Sequence, residues 1–267
     1  MPHIVVNDAR LYYEEYGVGP QTLLFAHGLL WSGKMFAKQV DMFQSRYRCI
    51  TFDWRGQGQS AVTRDGYDME TLYADTLALM DALHIETCHF VGLSMGGFIG
   101  IRLAARHPDR ITSLILIGTS ADPEPEANIP KYRMLNVVAR WLGFKLVANP
   151  VMSIMFGQKF LTDTTRQQER AEWRRQLFAN DRIGITHATS GVIARKGVYD
   201  ELPAITAPAL ILVGDQDVAT VPATAQRIHE RITHSQLTII PGAGHTATVE
   251  EPDAVNTAIL MFLATQT

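Results

Sequence analysis

Residues 87–96 read TCHFVGLSMG, an apolar run that ends in a glycine–serine–glycine motif. The apolar run predicts a short buried strand, and the residues after Gly96 predict a helix. Between them Ser94 occupies a sharp turn, in which Gly92 and Gly96 allow the backbone to pack closely. Such a turn holds the Ser94 hydroxyl clear of the sheet, near a helix start that stabilises negative charge. The stretch therefore predicts a nucleophilic serine, with an ordinary helix-capping serine as the alternative.

Apolar runs of strand length alternate with helical patterns before and after this turn. Most of the runs are continuously apolar, which is typical of strands covered on both faces. We therefore predict an α/β fold with a doubly wound, mostly parallel, eight-stranded sheet, in which the first two strands form an antiparallel pair. The predicted strands are 4–6, 11–16, 22–26, 48–52, 87–91, 113–117, 209–213 and 236–240, and the predicted helices are 68–83, 98–107, 223–232 and 252–263.

The alternation of strands and helices stops between residues 122 and 200. This segment opens with the proline-rich run DPEPE at 122–126 and continues in helical patterns without a clear strand. An insertion at the carboxyl ends of the strands would cover the edge of the sheet that carries Ser94. We therefore predict a helical cap over 122–200 on a core formed by 1–121 and 201–267. The alternative is a set of extra helices on the flank of the sheet.

The composition describes an ordinary folded chain and argues against several classes of partner. The 267 residues carry a formal net charge of −3, so the charge favours neither nucleic acid nor an anionic membrane. We expect no signal peptide, and no apolar run approaches the roughly 20 residues of a membrane span. Cys49 and Cys88 lie in apolar runs, which predicts buried free thiols in a cytoplasmic protein. The nine histidines lack metal-ligand spacing, so we predict no metal and no cofactor.

A serine hydroxyl needs a neighbouring base to act as a nucleophile, and the base needs an acid to orient it. His245 follows the last predicted strand in the glycine-rich run PGAGH and is the candidate base; the alternative is a solvated loop histidine. Two candidate acids, Asp215 and Asp217, follow the preceding strand, and Asp215 could instead cap the turn there. Spacing alone does not choose between them.

The negative charge that develops on a substrate carbonyl oxygen needs two backbone amides as hydrogen-bond donors. We assign one donor to Met95, the residue after the serine. The other should come from the loop after strand 22–26, where residues 27–29 read HGL, and we assign it to Leu29. Only the backbone of Leu29 is used, so its side chain is free to line a pocket. His27 is expected to brace this loop and not to act as a base.

With these motifs the chain resembles the α/β-hydrolase superfamily over nearly its full length. Within it, the chain is most similar to the serine esterase and 3-oxoadipate enol-lactonase-like group. The resemblance implies a catalytic triad of Ser94, Asp217 and His245, because the family acid stands three residues after the glycine of its loop. Enol-lactonases of that group often carry a tryptophan late in the cap, where this chain has Gly197-Val198-Tyr199. The matching motifs are His27-Gly28, DWRGQGQS at 53–60, the serine turn, GDQD at 214–217 and GAGH at 242–245.

The resemblance implies an enzyme that cleaves carboxylic esters or lactones through a covalent acyl-Ser94 intermediate. Other activities share the same residues. The alternatives are a cofactor-free perhydrolase or haloperoxidase, a carbon–carbon bond hydrolase, and a small-molecule receptor that retains the triad. The partner is a small molecule in every case, and the oligomeric state stays open.

Two properties of the predicted cap bear on the substrate. It carries twelve Lys or Arg against eight Asp or Glu, but Arg166, Arg170, Arg174 and Arg175 recur at helical spacing beside glutamates, as on a solvated face. Its apolar side chains can line an acyl pocket, although we expect more than half of them to pack the cap onto the core. We predict neutral, short-to-medium esters or lactones, with an anionic enol-lactone as the alternative. The apolar candidates are Met134, Leu135, Val138, Trp141, Leu142, Phe144, Val151, Met152, Met155, Phe156 and Phe160.

Overall fold

An eight-stranded sheet runs through the centre of the protein, whose computed structural model describes residues 2–266. The first and last residues of the predicted core, Met1 and Thr267, lie outside the described residues. The strands are β1 (His3–Val6), β2 (Ala9–Tyr16), β3 (Thr22–Ala26), β4 (Arg48–Phe52), β5 (Cys88–Leu93), β6 (Ile111–Ile117), β7 (Ala209–Gly214) and β8 (Ser235–Ile240). Their spatial order is β1-β2-β4-β3-β5-β6-β7-β8. β2 pairs antiparallel with β1 and β4, and the other neighbours are parallel, which confirms the predicted fold class.

The strand order reverses around β3. The chain passes from β3 to β4 on one side and then crosses to β5 on the other side of β3. The loops after β3 and β5 therefore diverge and leave a crevice, which is where parallel sheets bind ligands. Gly28 and Leu29 follow β3, and Ser94 directly follows β5. The predicted oxyanion loop and the predicted nucleophile thus meet at the crevice.

Helices cover both faces of the sheet. They are α1 (Ala37–Phe43), α2 (Met69–Ala82), α3 (Met95–Arg106), α4 (Ile129–Leu142), α5 (Phe144–Met155), α6 (Gln158–Thr162), α7 (Gln167–Ala179), α8 (Arg182–Ile193), α9 (Pro222–His229), α10 (Ala247–Glu250) and α11 (Pro252–Leu263). Asp68 caps α2 as predicted, since its Oδ1 accepts from the amides of Glu70 and Thr71 at 3.1 and 3.0 Å. No helix within residues 2–266 is long and apolar enough to cross a membrane.

Two helix predictions were wrong in extent, and one helix was missed. α3 begins at Met95, directly after Ser94, because the strand turns into the helix without a connecting loop. α9 ends at His229 and not at residue 232, because the chain leaves the helix before entering β8. The short helix α1 was not predicted, since its seven residues show too few apolar positions to establish a helical period.

Side chains of the parallel strands alternate between two hydrophobic clusters, one on each face of the sheet. In β6, Leu114 and Leu116 belong to one cluster, and Ile115 and Ile117 belong to the other. Because both faces are covered, the strands are apolar throughout and show no polar alternation. The second cluster also includes Phe144 of α5, so the hydrophobic core continues from the sheet into the helices beyond β6.

Helices α4 to α8 form the inserted helical cap, between β6 and β7 in the chain. The chain leaves β6 beside the predicted nucleophile, since the carbonyl of Ile117 at the end of β6 accepts from the Ser94 amide at 2.8 Å. The cap therefore begins at the carboxyl edge of the sheet and covers Ser94. The cap boundaries at residues 122 and 200 stay a prediction.

Candidate active site

Ser94 has a strained backbone conformation, with φ 53° and ψ −112°. A positive φ is rare in residues with a side chain and persists only where the surroundings enforce it. Here the Ser94 amide donates to Ile117 O at 2.8 Å, and the Ser94 carbonyl accepts from Thr119 Oγ1 at 2.8 Å. A β-carbon on Gly96 would lie 2.0 Å from Ala26 O, so the turn requires glycine there. The turn presents Ser94 to a cavity above the sheet.

His245 lines the same cavity as Ser94, and Asp217 orients its ring. The Nδ1 atom of His245 lies 2.9 Å from Asp217 Oδ2. The Nδ1–H group therefore donates to the carboxylate, and Nε2 is left to accept a proton. Asp217 is held in turn by the amides of Ala219 and Thr220, which donate to its Oδ1 at 2.8 and 2.9 Å. The structure thus brings the predicted base and one predicted acid together beside Ser94.

The other candidate acid, Asp215, has a different partner. Its Oδ1 accepts from the amide of Gly242 at 2.7 Å, and the residue is exposed. Asp215 therefore fastens the turn after β8 to the loop after β7 and does not contact His245. Of the two carboxylates, the structure places Asp217 against the histidine.

Burial and charge act in opposite directions on the His245–Asp217 pair. Burial acts to raise the pKa of Asp217, but His245 and the hydrogen bonds from Thr220 bring that pKa below its ordinary value. Burial acts to lower the pKa of His245, but Asp217, followed by Glu250 and Glu124, brings it above the ordinary 6.5. A raised pKa makes the imidazole a stronger proton acceptor, which suits a general base.

The two predicted oxyanion residues lie on either side of Ser94. Met95 is the first residue of α3, where a backbone amide has no acceptor one turn earlier in the helix. Leu29 lines the cavity from the loop after β3. That loop lies close to Ser94, since a β-carbon on Gly28 would be only 3.3 Å from the Ser94 β-carbon. The amides of Leu29 and Met95 therefore belong to the two backbone segments that flank the serine.

His27 braces the loop after β3. Its ring is fully buried, with Nδ1 2.7 Å from Gly28 O and Nε2 accepting from the Trp54 amide at 3.0 Å. The Trp54 indole donates back to the His27 carbonyl at 2.7 Å. Burial lowers the pKa of His27 to about 4, so the ring is neutral near neutral pH. Both ring nitrogens are engaged, which leaves His27 a structural role.

The charged residues of the DWRGQGQS motif also have a structural role, because they hold the loops around the crevice. Asp53 accepts from the amides of Gly33 and Gln59, both at 2.8 Å, and burial raises its pKa to about 6. Arg55 donates to both oxygens of the buried Asp75 at 2.8 Å each. The motif therefore fixes the loops around the crevice, and none of its residues lines the cavity that holds Ser94.

Glu250 is a buried carboxylate that holds the His245 loop against the cap. Its Oε2 accepts from the amides of Gly244 at 3.0 Å and Gly157 at 2.7 Å, and its Oε1 accepts from the Thr246 amide at 3.1 Å. A β-carbon on Gly244 would lie 2.2 Å from the Gly157 nitrogen, so cap and loop backbones nearly touch. Sequence analysis missed Glu250, because its cap partner Gly157 is 93 residues away in the chain.

The cavity that Ser94 and His245 line has a mostly apolar wall. Of the eleven apolar candidates in the cap, four line it: Leu135, Phe144, Val151 and Met155. Met134, Trp141 and Leu142 are exposed, and the others pack into the core. Four of the eleven therefore only pack the cap onto the core, which is fewer than the predicted majority. Within residues 2–266, no group of three or more His, Cys, Asp and Glu side chains is placed to hold a metal ion.

Charge in the cavity comes from two residues that sequence analysis missed. Arg195 and Glu124 both line it, whereas Arg166, Arg170 and Arg174 of the positive cap do not. Arg195 Nη1 donates to Glu124 Oε2 at 2.6 Å, so the two charges compensate each other. They are 71 residues apart, and neither belongs to a motif that would have marked it.

Residues 21–252 match the α/β-hydrolase fold family. That match covers most of the chain, and it agrees with the mostly parallel sheet, the inserted cap and the serine turn at the switch in strand order. The chain belongs to the α/β-hydrolase family, and the resemblance predicted from its motifs is confirmed. It is a hydrolase by family.

Individual relatives are similar over nearly the whole chain. 3-Oxoadipate enol-lactonase 2 of Acinetobacter baylyi is 30% identical over 258 residues, which cover 96% of this chain and 94% of that protein. A putative carbamate hydrolase, RutD of Caulobacter sp., is 29% identical over 262 residues, covering 95% and 96%. The crystal structure of the enol-lactonase from Burkholderia xenovorans LB400 has a TM-score of 0.91 at 30% identity and covers 98% of this chain and 100% of that one. The similarity supports the enol-lactonase-like group.

Proposed function

We propose that this protein hydrolyses carboxylic esters or lactones, with Ser94 as nucleophile, His245 as base and Asp217 as the acid that orients it. The single observation that carries the proposal is the 2.9 Å hydrogen bond between His245 Nδ1 and Asp217 Oδ2. It leaves Nε2 as the proton acceptor in a cavity that Ser94 also lines. Residues 122–200 act as the cap over a core of 1–121 and 201–267.

Acylation begins when His245 Nε2 takes the proton of Ser94 Oγ, while Oγ bonds to the substrate carbonyl carbon. The electron pair of the C=O bond moves to oxygen, and the amides of Leu29 and Met95 donate hydrogen bonds to this oxyanion. When the C=O bond forms again, the bond to the leaving oxygen breaks and that oxygen takes the proton from His245. An ester then releases an alcohol, whereas a lactone keeps its new hydroxyl on the acyl chain.

Deacylation repeats these steps with water as the nucleophile. His245 Nε2 takes one proton of the water, whose oxygen bonds to the acyl carbon and gives a second oxyanion in the same pair of amides. The bond to Ser94 Oγ breaks, and His245 returns the proton to the serine. The products are a carboxylic acid and free enzyme, so the same three side chains serve both halves of the reaction.

The substrates we propose are neutral esters or lactones of short-to-medium length. The apolar cavity wall and the internal compensation of Arg195 by Glu124 support this, because the cavity then has no unpaired positive charge to attract an anion. An anionic enol-lactone is the alternative, suggested by the names of relatives that the chain resembles at about 30% identity.

A substrate panel with direct detection of the intermediate tests this function. We would measure turnover of 4-nitrophenyl esters of increasing acyl length and of five- and six-membered lactones. Enzyme quenched in acid during turnover should carry the acyl mass on the peptide that contains Ser94. Absence of both turnover and adduct would contradict the proposal. One fast equivalent of product followed by very slow turnover would indicate a receptor, and activity that requires peroxide would indicate a perhydrolase.

A further inference from the structure

The ion pair between Glu124 and Arg195 lies inside the cavity that holds Ser94 and His245. The two side chains are 7% and 4% exposed. Besides its bond to Glu124, Arg195 donates from Nε to Asp122 O at 3.1 Å. A charged pair that is removed from water at the wall of an apolar cavity is costly to build, so it points to a polar contact with what the cavity binds.

The position of the pair relative to the nucleophile follows from Phe98. The Arg195 guanidinium carbon lies 4.4 Å from the centre of the Phe98 ring, which also lines the cavity. Phe98 stands one helical turn after Ser94, and its amide donates to the Ser94 carbonyl at 3.0 Å. The guanidinium therefore stacks over the first turn of α3, within reach of a short acyl chain attached to Ser94.

Two hydrogen-bond donors at this wall lack a partner. Within residues 2–266, no acceptor receives a hydrogen bond from Arg195 Nη2, and the hydroxyl of Tyr132 makes none. Tyr132 lines the same cavity, and burial together with the charges of Glu124 and Asp217 raises its pKa to about 12. The phenol therefore stays protonated and remains a donor over the working pH range of a hydrolase.

We infer that Arg195 and Tyr132 form a subsite for a second, uncharged carbonyl group of the substrate, a ketone or amide oxygen. This inference rests on the proposed ester or lactone hydrolysis at Ser94. Both groups offer donors, and a carbonyl oxygen accepts two hydrogen bonds. A carboxylate fits poorly, because the Glu124 carboxylate already holds Arg195 and would repel a second negative charge beside it.

Three matched esters test the subsite. 4-Nitrophenyl hexanoate, 5-oxohexanoate and hydrogen adipate share the acyl length and the leaving group, and differ in bearing no polar group, a ketone or a carboxylate. We expect kcat/KM of the wild type to be about tenfold higher for the 5-oxohexanoate than for the hexanoate, which is the effect of one net hydrogen bond. The adipate should be the poorest of the three substrates.

Variants assign the selectivity to named groups. Tyr132→Phe should lower the ratio of kcat/KM between the ketone ester and the plain ester toward one, whereas Tyr16→Phe, whose hydroxyl bonds to Glu14 outside the cavity, should leave the ratio as it is. Glu124→Gln removes the charge that compensates Arg195, so it should raise the adipate relative to the ketone ester. Thermal melting of each variant checks that it is folded.

The outcomes separate this inference from the proposed function. Two outcomes overturn the subsite while the function stands, provided that the hexanoate is hydrolysed. One is a ratio of kcat/KM between the ketone ester and the plain ester that is near one in the wild type, and the other is a ratio that Tyr132→Phe does not change. If the wild type hydrolyses none of the three esters, calorimetric binding of 5-oxohexanamide and hexanamide to the folded protein decides the subsite. The function itself fails only if lactones are not hydrolysed either and no adduct forms on Ser94. Tighter binding of the 5-oxohexanamide supports it, and equal affinity overturns it.

Discussion

The Ser94 turn and the cap wall face each other across one cavity, yet they are built in different ways. The turn is made by backbone: a positive φ at Ser94 and a glycine at 96 without room for a β-carbon, all within one short stretch of sequence. The wall is made by side chains such as Tyr132 and Arg195, which lie 63 positions apart in the chain and meet only through packing of the cap. The serine turn is therefore encoded in one local stretch of the sequence, whereas the residues of the cap wall are distributed along the chain.

The largest expected effect comes from the turn. Ser94→Ala should lower kcat for 4-nitrophenyl esters by about 10⁴- to 10⁶-fold, the loss seen when a serine nucleophile is removed. The melting temperature should stay within a few degrees of wild type, because one hydroxyl leaves no sizeable cavity. Ser153→Ala, at an exposed position of α5, is the matched control and should retain full activity. Wild-type rates in the Ser94→Ala variant would rule out this nucleophile.

The next largest effect on activity is expected from Asp217, which we compare with Asp215, the other carboxylate after β7. Asp217→Asn should lower kcat by about 10⁴-fold, because an amide at this position favours the wrong tautomer of His245. Asp215→Asn should cost less than about tenfold, since the side chain of Asp215 bonds to the Gly242 amide in the neighbouring turn and not to His245. Steady-state kinetics of the two variants on one ester make the comparison, and the reverse ranking would overturn the assignment of the acid.

The third prediction concerns Glu250, which joins the cap to the His245 loop. Glu250→Gln places an NH₂ donor either at the position of Oε2, opposite the amides of Gly157 and Gly244, or at that of Oε1, opposite the amide of Thr246. Each amide left unpaired costs about 1–3 kcal/mol. We expect the free energy of unfolding in urea to fall by about 2–4 kcal/mol. Glu251→Gln, which loses only a surface ion pair with Lys159, should change it by less than about 1 kcal/mol. Equal effects would show that Glu250 is not a structural link.

The smallest effect is a shift in the pH dependence of activity, which Glu124 of the cap wall exerts through His245. Burial acts to lower the pKa of His245, but Asp217, Glu250 and Glu124 raise it above 6.5. Because the proposed base is the neutral imidazole of His245, kcat/KM should rise with pH through a midpoint above 6.5. Glu124→Gln removes one negative charge and should move the midpoint to lower pH, whereas Glu126→Gln at an exposed position should not. An unmoved midpoint in Glu124→Gln would contradict electrostatic contact between cap and base.

Much of the fold could be predicted, because its signals are local. Strands 22–26 and 48–52 were predicted to the residue, since a strand covered on both faces is an unbroken apolar run between polar loops. The seven-residue α1 could not be found, because it is fixed by contacts far along the chain. Its Gln39 donates to Asn256 of α11, 217 residues later, at 3.0 Å.

The candidate site divides in the same way. Ser94 and His245 were found because tight turns need glycines, and glycines are visible in a sequence. Tyr132 and Glu124 were not found, because their significance depends on which face of the cap points into the cavity. Trp141 illustrates the difficulty: it was an apolar candidate for the pocket, but it lies on the outer face of α4 and is 75% exposed.

The convergence of three amides on Glu250 also constrains how the cavity can open. Gly157 belongs to the cap, and Gly244 and Thr246 flank His245, so lifting the α5–α6 end of the cap would break the bonds that fix the histidine loop. Hydrogen exchange at these amides should therefore occur in one cooperative opening, as in a single unfolding unit. Substrate entry and product release are then expected at a part of the cap other than its α5–α6 end, where movement of the cap leaves the His245 loop in place.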